Sequence, residues 1–281
     1  MSEVIRFHCE GAPRDLGLDQ GRACRDAIRA DAGALGFESR APGVLRAATW
    51  LRVSRRSKRQ RRIARDLARH FPHLAERTAG LASGADLPAD ALLALLAAEL
   101  LDPMSARFEH VAASPPGLRL ALRAPLPATG VVVRTTRPDG GYANLTVTRP
   151  GLAAALAGVN ERGLAAAAIL LAAPDAGERC QAPGVLLAEG CLERLDGVEK
   201  ALEWCERRPG GGRARLVFAD ASGARGAIEL DGEKRSRLEP AAAIGNADPV
   251  DASSGASLRI DSAARSLAIG RPGAPGQVFQ L

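Results

Sequence analysis

Residues 149–170 read RPGLAAALAGVNERGLAAAAIL, and the parsing of this stretch decides the fold. Two runs of small apolar residues flank Asn160-Glu161-Arg162-Gly163, so the segment reads as strand, turn, strand. Gly163 supplies a position that tolerates positive φ, and Asn160 can bond its own backbone two residues on; a tight turn needs both. On turn chemistry alone the segment also fits an ordinary buried hairpin.

The pattern continues on both sides. Val131 to Thr136, Gly141 to Thr148, Leu152 to Val159 and Leu164 to Leu171 are short strand-like segments, punctuated by Pro138-Asp139-Gly140-Gly141. They predict a meander of antiparallel strands. Val185 to Leu195 and Val198 to Arg207 each carry an apolar helical face and stop at the Pro209 to Gly212 loop. Ala214 to Ala219 and Gly226 to Leu230 give a further hairpin, and the tail SLAIGRPGAPGQVFQL adds one or two strands. Upstream the character is helical. A short strand VIRFHC precedes a helix over Arg14 to Ala34, on which Gly17 and Gly21 lie four apart and permit close packing. Helices follow to His70, from Pro72 to about Gly80, and from Asp86 to Leu101, the last apolar nearly all round. Helices, then strands, then a helical pair, then strands argue for an α+β sandwich in which helices cover sheets.

The 281 residues are 46% hydrophobic but only 3% aromatic, so a sizeable core must be built of Leu, Val, Ile and Ala. Nothing approaches the ~20 apolar residues that span a bilayer, and no apolar leader follows Met1; a soluble cytoplasmic protein is the expectation. Five scattered cysteines form no CxxC pair and have no histidine at ligand spacing, which predicts free, mostly buried thiols and no structural metal. The formal charge of +6 is concentrated in Arg52 to Arg69, where nine Lys or Arg stand against Asp66 alone. Such a run can bind phosphates or an anionic surface. Apolar residues interleave with it at helical spacing, so it equally reads as an amphipathic helix with a solvated basic face. Nucleic acid binding is not indicated, because no aromatic interleaving accompanies the charge.

The common catalytic signatures are missing: there is no GxSxG, no GxxxxGK[ST] and no HExxH. What remains is a set of colinear segments: RDLGLDQG (Arg14 to Gly21), PG…GVNERGLAAA (Pro150 to Ala167), LVFADASG…IEL (Leu216 to Leu230), IGNAD (Ile244 to Asp248) and LAIGRPGAPGQVF (Leu267 to Phe279). On these the chain resembles the acyl-coenzyme A:6-aminopenicillanic acid acyltransferase family, a C45 peptidase-like branch of the N-terminal-nucleophile hydrolases. The resemblance implies a four-layer αββα sandwich with a helical N-terminal segment. It divides the chain into a prosegment-like region, 1–104, and a core region, 105–281, within one integrated domain. It implies acyl transfer or amide hydrolysis on a small amide or thioester, with a coenzyme A thioester among the acyl donors it admits, and no cofactor. Members cut their own backbone before a cysteine, whose freed amine then acts as base for its thiol.

The chain departs from that pattern at the residues that react. No cysteine lies between Cys24 and Cys180, and the expected junction reads LDPMSARFEH, which leaves Ser105 as the positional substitute for the nucleophile. The arginine of the following motif survives as Arg123, while its Asn and Asp are replaced. Arg215 stands where the resemblance expects an oxyanion-hole asparagine, and Asn160 is the remaining polar residue that resembles part of a family pocket. Losing an oxyanion donor alone typically costs ~10²–10³ in rate, so a catalytically inactive relative that binds a ligand or an anion is the alternative.

Overall fold

The computed structural model describes residues 4–35, 37, 60–101, 108–114, 117–122, 131–171, 182–239, 256–271 and 274–281. The chain begins with strand β1 (Ile5–Gly11) and helices α1 (Pro13–Ala23) and α2 (Arg25–Ala34). Helix α3 covers 60–70, followed by α4 (Pro72–Ala85) and α5 (Ala89–Leu101). Strands β2 (Phe108–Ser114), β3 (Gly117–Leu122), β4 (Val132–Pro138), β5 (Asn144–Thr148), β6 (Ala157–Asn160) and β7 (Ala165–Leu171) lead to α6 (Val185–Arg194) and α7 (Val198–Arg207). Strands β8 (Arg213–Ala219), β9 (Arg225–Asp231), β10 (Lys234–Leu238), β11 (Ala256–Asp261), β12 (Ser266–Arg271) and β13 (Ala274–Gln280) complete it.

The strands form two sheets. Eight of them run in the order β1-β4-β5-β6-β7-β8-β9-β10, an antiparallel meander with β1 added in parallel beside β4. The other five run β13-β12-β11-β3-β2 and pack on one face of the large sheet, β2 and β3 over β7 and β8, and β11 and β12 over β6. Helices α6 and α7 pack on the opposite face, against β6 to β10. The fold is therefore mixed α+β, and its described layers run helix, sheet, sheet.

Alternation along the strands shows which residues face which layer. A Cβ on Gly226 would meet Leu202 and Val198 of α7, and Gly226 pairs with Phe218. Ala214, Leu216 and Phe218 therefore face the helices, while Arg213, Arg215, Val217 and Ala219 face the five-stranded sheet. Between the sheets the core is made of small and branched residues, among them Val133, Leu145, Val147, Val159, Ala165, Ala167, Leu118, Leu258 and Ile260. This agrees with a sequence that is poor in aromatics.

The close packing suggested by Gly17 and Gly21 is realised against a second pair at the same spacing in α4. A Cβ on Gly17 would stand 1.9 Å from the Arg77 carbonyl oxygen, and one on Gly80 would stand 2.0 Å from the Arg14 carbonyl oxygen. Backbone meets backbone, which only glycine allows.

The structure differs from the sequence reading at three places. The helix over Arg14 to Ala34 is two helices, because Cys24 leaves helical geometry (φ −112°, ψ 16°). The first arm of the 149–170 hairpin is strand only from Ala157; Gln20 and Thr148 take the carbonyls of 149, 150, 152 and 154, so they are not offered to a neighbouring strand. The hairpin β2–β3 and strand β11 fall where the sequence reading assigns no strand. Over its described part the basic segment is an amphipathic helix, with Ile63 and Leu67 buried and Arg61, Arg62, Arg65 and Arg69 exposed.

Candidate functional site

Asn160 ends β6. Its Oδ1 accepts from the backbone N–H groups of Arg162 and Leu164, both at 3.0 Å, which closes the turn as its sequence suggested. Its Nδ2 donates to the carbonyls of Leu192 and Leu195, at 2.9 and 2.7 Å, and so caps the end of α6. An asparagine side chain has two donors and two acceptor lone pairs, and here all four are taken. The residue is fully buried and faces the helix layer.

Gly163, at φ +84°, completes that turn. A Cβ there would lie 2.9 Å from Ala221 and 3.0 Å from the Ser262 carbonyl oxygen, so the β6–β7, β8–β9 and β11–β12 turns meet at this end of the sandwich. Asp220, in the β8–β9 turn, accepts from the N–H groups of Ser222 and Ala224, and from that of Val198 at the start of α7. Burial alone would push its carboxyl up, but bonds from Ser222, Val198 and Ala224 outweigh burial and hold it below the usual range.

The register defines the opposite end. Asp261 pairs with Gly117 and Gly117 with Ser114 at the closed end; Phe108 pairs with Leu122, and Leu122 with Ala256, at the far one. In the large sheet the far end is the row Leu171, Arg213, Asp231, next to the row Ile169, Arg215, Glu229. Seven strand residues separate the two ends by roughly 20 Å. Ser105 precedes Phe108 by three residues and Arg123 directly follows Leu122; both lie outside the described residues. Arg215 thus belongs to the end whose strand termini those two residues flank. Asn160 belongs to the other end and to the other face of the large sheet.

At the far end Arg215 donates to Glu229 at 2.9 Å, and Arg213 lies 3.4 Å from Asp231 and 3.7 Å from Glu229. These side chains are 24–55% exposed, so the ladder can exchange partners with a bound carboxylate at small cost.

No described thiol supplies a nucleophile. Cys9, Cys24, Cys191 and Cys205 are buried and unbridged. Burial pushes the Cys24 thiol up to about 12 and raises those of Cys9 and Cys191, and the thiolate is the reactive form. Cys180 lies outside the described residues. Among the described residues no group of three or more His, Cys, Asp or Glu is placed to hold a metal ion, and no single helix is long and apolar enough to cross a membrane.

The densest polar cluster went unread in the sequence. Arg134 of β4 is fully buried and donates from Nη2 to both Glu189 carboxylate oxygens, at 2.9 and 2.8 Å, and from Nη1 to Gln20 at 2.7 Å. Arg77 of α4 donates to the same Glu189 at 2.7 Å, to Glu193 at 3.0 Å and to Thr136 at 3.3 Å. Burial first, then Glu189, pushes the Glu193 carboxyl up to about 7. His73 Nδ1 lies 3.0 Å from an Arg194 guanidinium nitrogen, which only donates, so the ring accepts there and carries its proton on Nε2. Burial first, then Arg194, pushes it down to about 4. The centre of the cluster, Gln20, Arg77, Arg134, Glu189 and Glu193, is buried between helices and sheet, and it ties α1, α4, β4 and α6 together. Its sequence signal was a charge inside an apolar run, as in VVVRTT and LLAEGCL, which demands a buried partner.

No protein-family model and no curated protein matches the chain. Solved structures similar to it include penicillin V acylase from Agrobacterium tumefaciens, at 14% identity over 62% of this chain and 75% of that one, with a TM-score of 0.36. A likeness at that level bears on no individual residue here.

Proposed function

We propose that this chain is a divergent N-terminal-nucleophile-type acyltransferase or amidohydrolase acting on a small amide or thioester, with its site at the far end of the sandwich. The observation that carries this reading is the pairing of Phe108 with Leu122. It joins the strand ends flanked by Ser105 and Arg123, at the same end as Arg215 and Glu229. In this reading the bond between Met104 and Ser105 is cut, and the freed α-amine takes the Ser105 hydroxyl proton as Oγ attacks the acyl carbon. The amine then returns that proton to the leaving amine or thiol. Arg123 and Arg215 bind a substrate carboxylate or phosphate by forked contacts. The fold belongs with the four-layer αββα sandwiches, and segments 1–104 and 105–281 stay joined after the cut. Two features support their cohesion: β1 is hydrogen-bonded to β4, and Arg77 is bound to Glu189 and Glu193.

Intact mass and N-terminal sequencing test the reading. The expected result is two co-eluting fragments, the second beginning at Ser105, and a Ser105→Ala variant that stays whole. A single uncut 29.2 kDa species after days of incubation would overturn self-cleavage. The second reading is a non-catalytic relative that binds its ligand through the same fold; it is favoured by the saturation of Asn160 and the burial of every described thiol.

A further inference from the structure

A cleft of about 400 Å³ lies between α3, the end of α7 and the β9–β10 turn, at the far end of the sandwich but on the helix side of the large sheet, the face opposite Arg215 and Glu229. It is within the size range of small-molecule sites. Five arginines line it, Arg65, Arg69, Arg207, Arg208 and Arg235, against three carboxylates. Two of those carboxylates are committed: buried Asp66 is held by Arg65 at 2.9 Å, and Glu206 is held by Arg237, from outside the cleft, at 2.7 and 3.1 Å. Arg69 stands one turn beyond Arg65 on α3, and Arg208 is stacked over the Trp204 ring at 5.3 Å. Neither has a carboxylate partner among the described residues. Arg65 is bound to Asp66, Arg235 donates to the carbonyls of Arg208, Gly210, Gly232 and Lys234, and Arg207 lies 3.8 Å from Glu203, so the forks on offer to a phosphate group are those of Arg69 and Arg208, which approach from two elements.

We propose that this cleft is a binding site for a small molecule carrying a di- or triphosphate group, with Arg69 and Arg208 as its principal ligands. A concave site lined from three sides, with His70 as its aromatic lining residue and the nearby Trp204 ring covered by Arg208, suits a compact polyanion better than a duplex. The site does not depend on chemistry at Ser105, and its variants leave self-cleavage unchanged.

Isothermal titration with sodium tripolyphosphate at a fixed ionic strength of about 0.15 M tests it. Saturable one-to-one binding is expected. Arg69→Ala with Arg208→Ala weakens it by roughly a hundredfold, as two charged hydrogen-bonding groups are lost. Arg61→Ala, on the same helix outside the cleft, binds like the parent. The pair Arg69→Lys and Arg208→Lys keeps the charge and loses the fork, so it falls between. Thermal melts check that each variant is folded, and exposed side chains at these positions predict that all are. Absence of saturable binding, equal weakening by Arg61→Ala, an undiminished lysine pair, or duplex binding that tripolyphosphate does not displace would each overturn the site.

Discussion

Two regions of the eight-stranded sheet, the β4 strand under α6 and the far end of β8 and β9, use arginine in opposite ways. On the helix face Arg134 is fully buried, and Glu189, Gln20 and Thr146 take its donors; Arg77 reaches the same cluster from α4. On the face toward the five-stranded sheet, Arg213 and Arg215 pair with Glu229 and Asp231 while keeping about a third of their surface in water. The buried charges cannot exchange partners without unfolding, whereas the half-exposed ones can. Fixed charge marks the part of the molecule that holds its shape, and exchangeable charge marks the part that can meet a ligand.

The sharpest way to break this contrast is to remove one member of the buried set. Glu189→Gln leaves two buried guanidinium groups with half their acceptor, and the expected loss is about 3–5 kcal/mol by urea denaturation. Replacing Arg77, Arg134 and Glu189 together by methionine, with Glu193→Gln in the same chain, is expected to cost less than the single change, because no uncompensated charge remains. A loss below about 1 kcal/mol for Glu189→Gln would mean that this region is not fixed by its charges.

The pH dependence comes next in size. Folded Glu193 titrates at about 7 against 4.5 when unfolded, so between those values unfolding releases a proton and stability falls as pH rises. Folded His73 titrates at about 4 against 6.5 when unfolded, so between those values unfolding takes up a proton and stability rises with pH. Each amounts to roughly 3 kcal/mol over its window, and from pH 4.5 to 6.5 they cancel. The parent protein is therefore flat with respect to this pair. Glu193→Gln should gain stability from pH 4 to 6.5, and His73→Gln should lose it from pH 4.5 to 7, both read from melting temperature against pH. Parallel profiles for the two variants would exclude opposed titration.

Asn160→Ala is expected to cost about 2–3 kcal/mol, since it orphans the carbonyls of Leu192 in α6 and of Leu195 just beyond it, and two turn N–H groups. It should leave any acyl-transfer rate per folded molecule unchanged. A lost rate with intact stability would return Asn160 to the site. The residue shows how sequence legibility divided here. NERG was readable because turn chemistry is local: the Asn160 side chain bonds two residues on, and Gly163 takes positive φ. RDLGLDQG and PG were readable as segments, but not the reason they belong together, which is Gln20 donating to the carbonyls of Arg149, Pro150 and Leu152 across some 130 positions. The Arg134–Glu189 pair is equally non-local, and pairing of that kind leaves only the weak trace of a charge in an apolar run. Colinear motifs therefore traced scaffold contacts, and the grouping of Asn160 with Arg215 failed because strand ends and faces are set by register.

Arg215 carries the smallest effect on stability and the most direct test of the exchangeable region. Its bond to Glu229 is a partly exposed ion pair, so Arg215→Ala should shift stability by about 0.2–1 kcal/mol. If the far end binds a carboxylate-bearing substrate, the same change raises KM roughly tenfold and leaves kcat within about twofold, the pattern of a lost ground-state contact. Glu229→Gln should move KM the other way, because it frees the Arg215 guanidinium from its competitor. The two variants together separate binding from folding. Opposite shifts in KM at constant stability fit a guanidinium that a substrate borrows, whereas equal losses of stability would make this ladder as structural as the buried one.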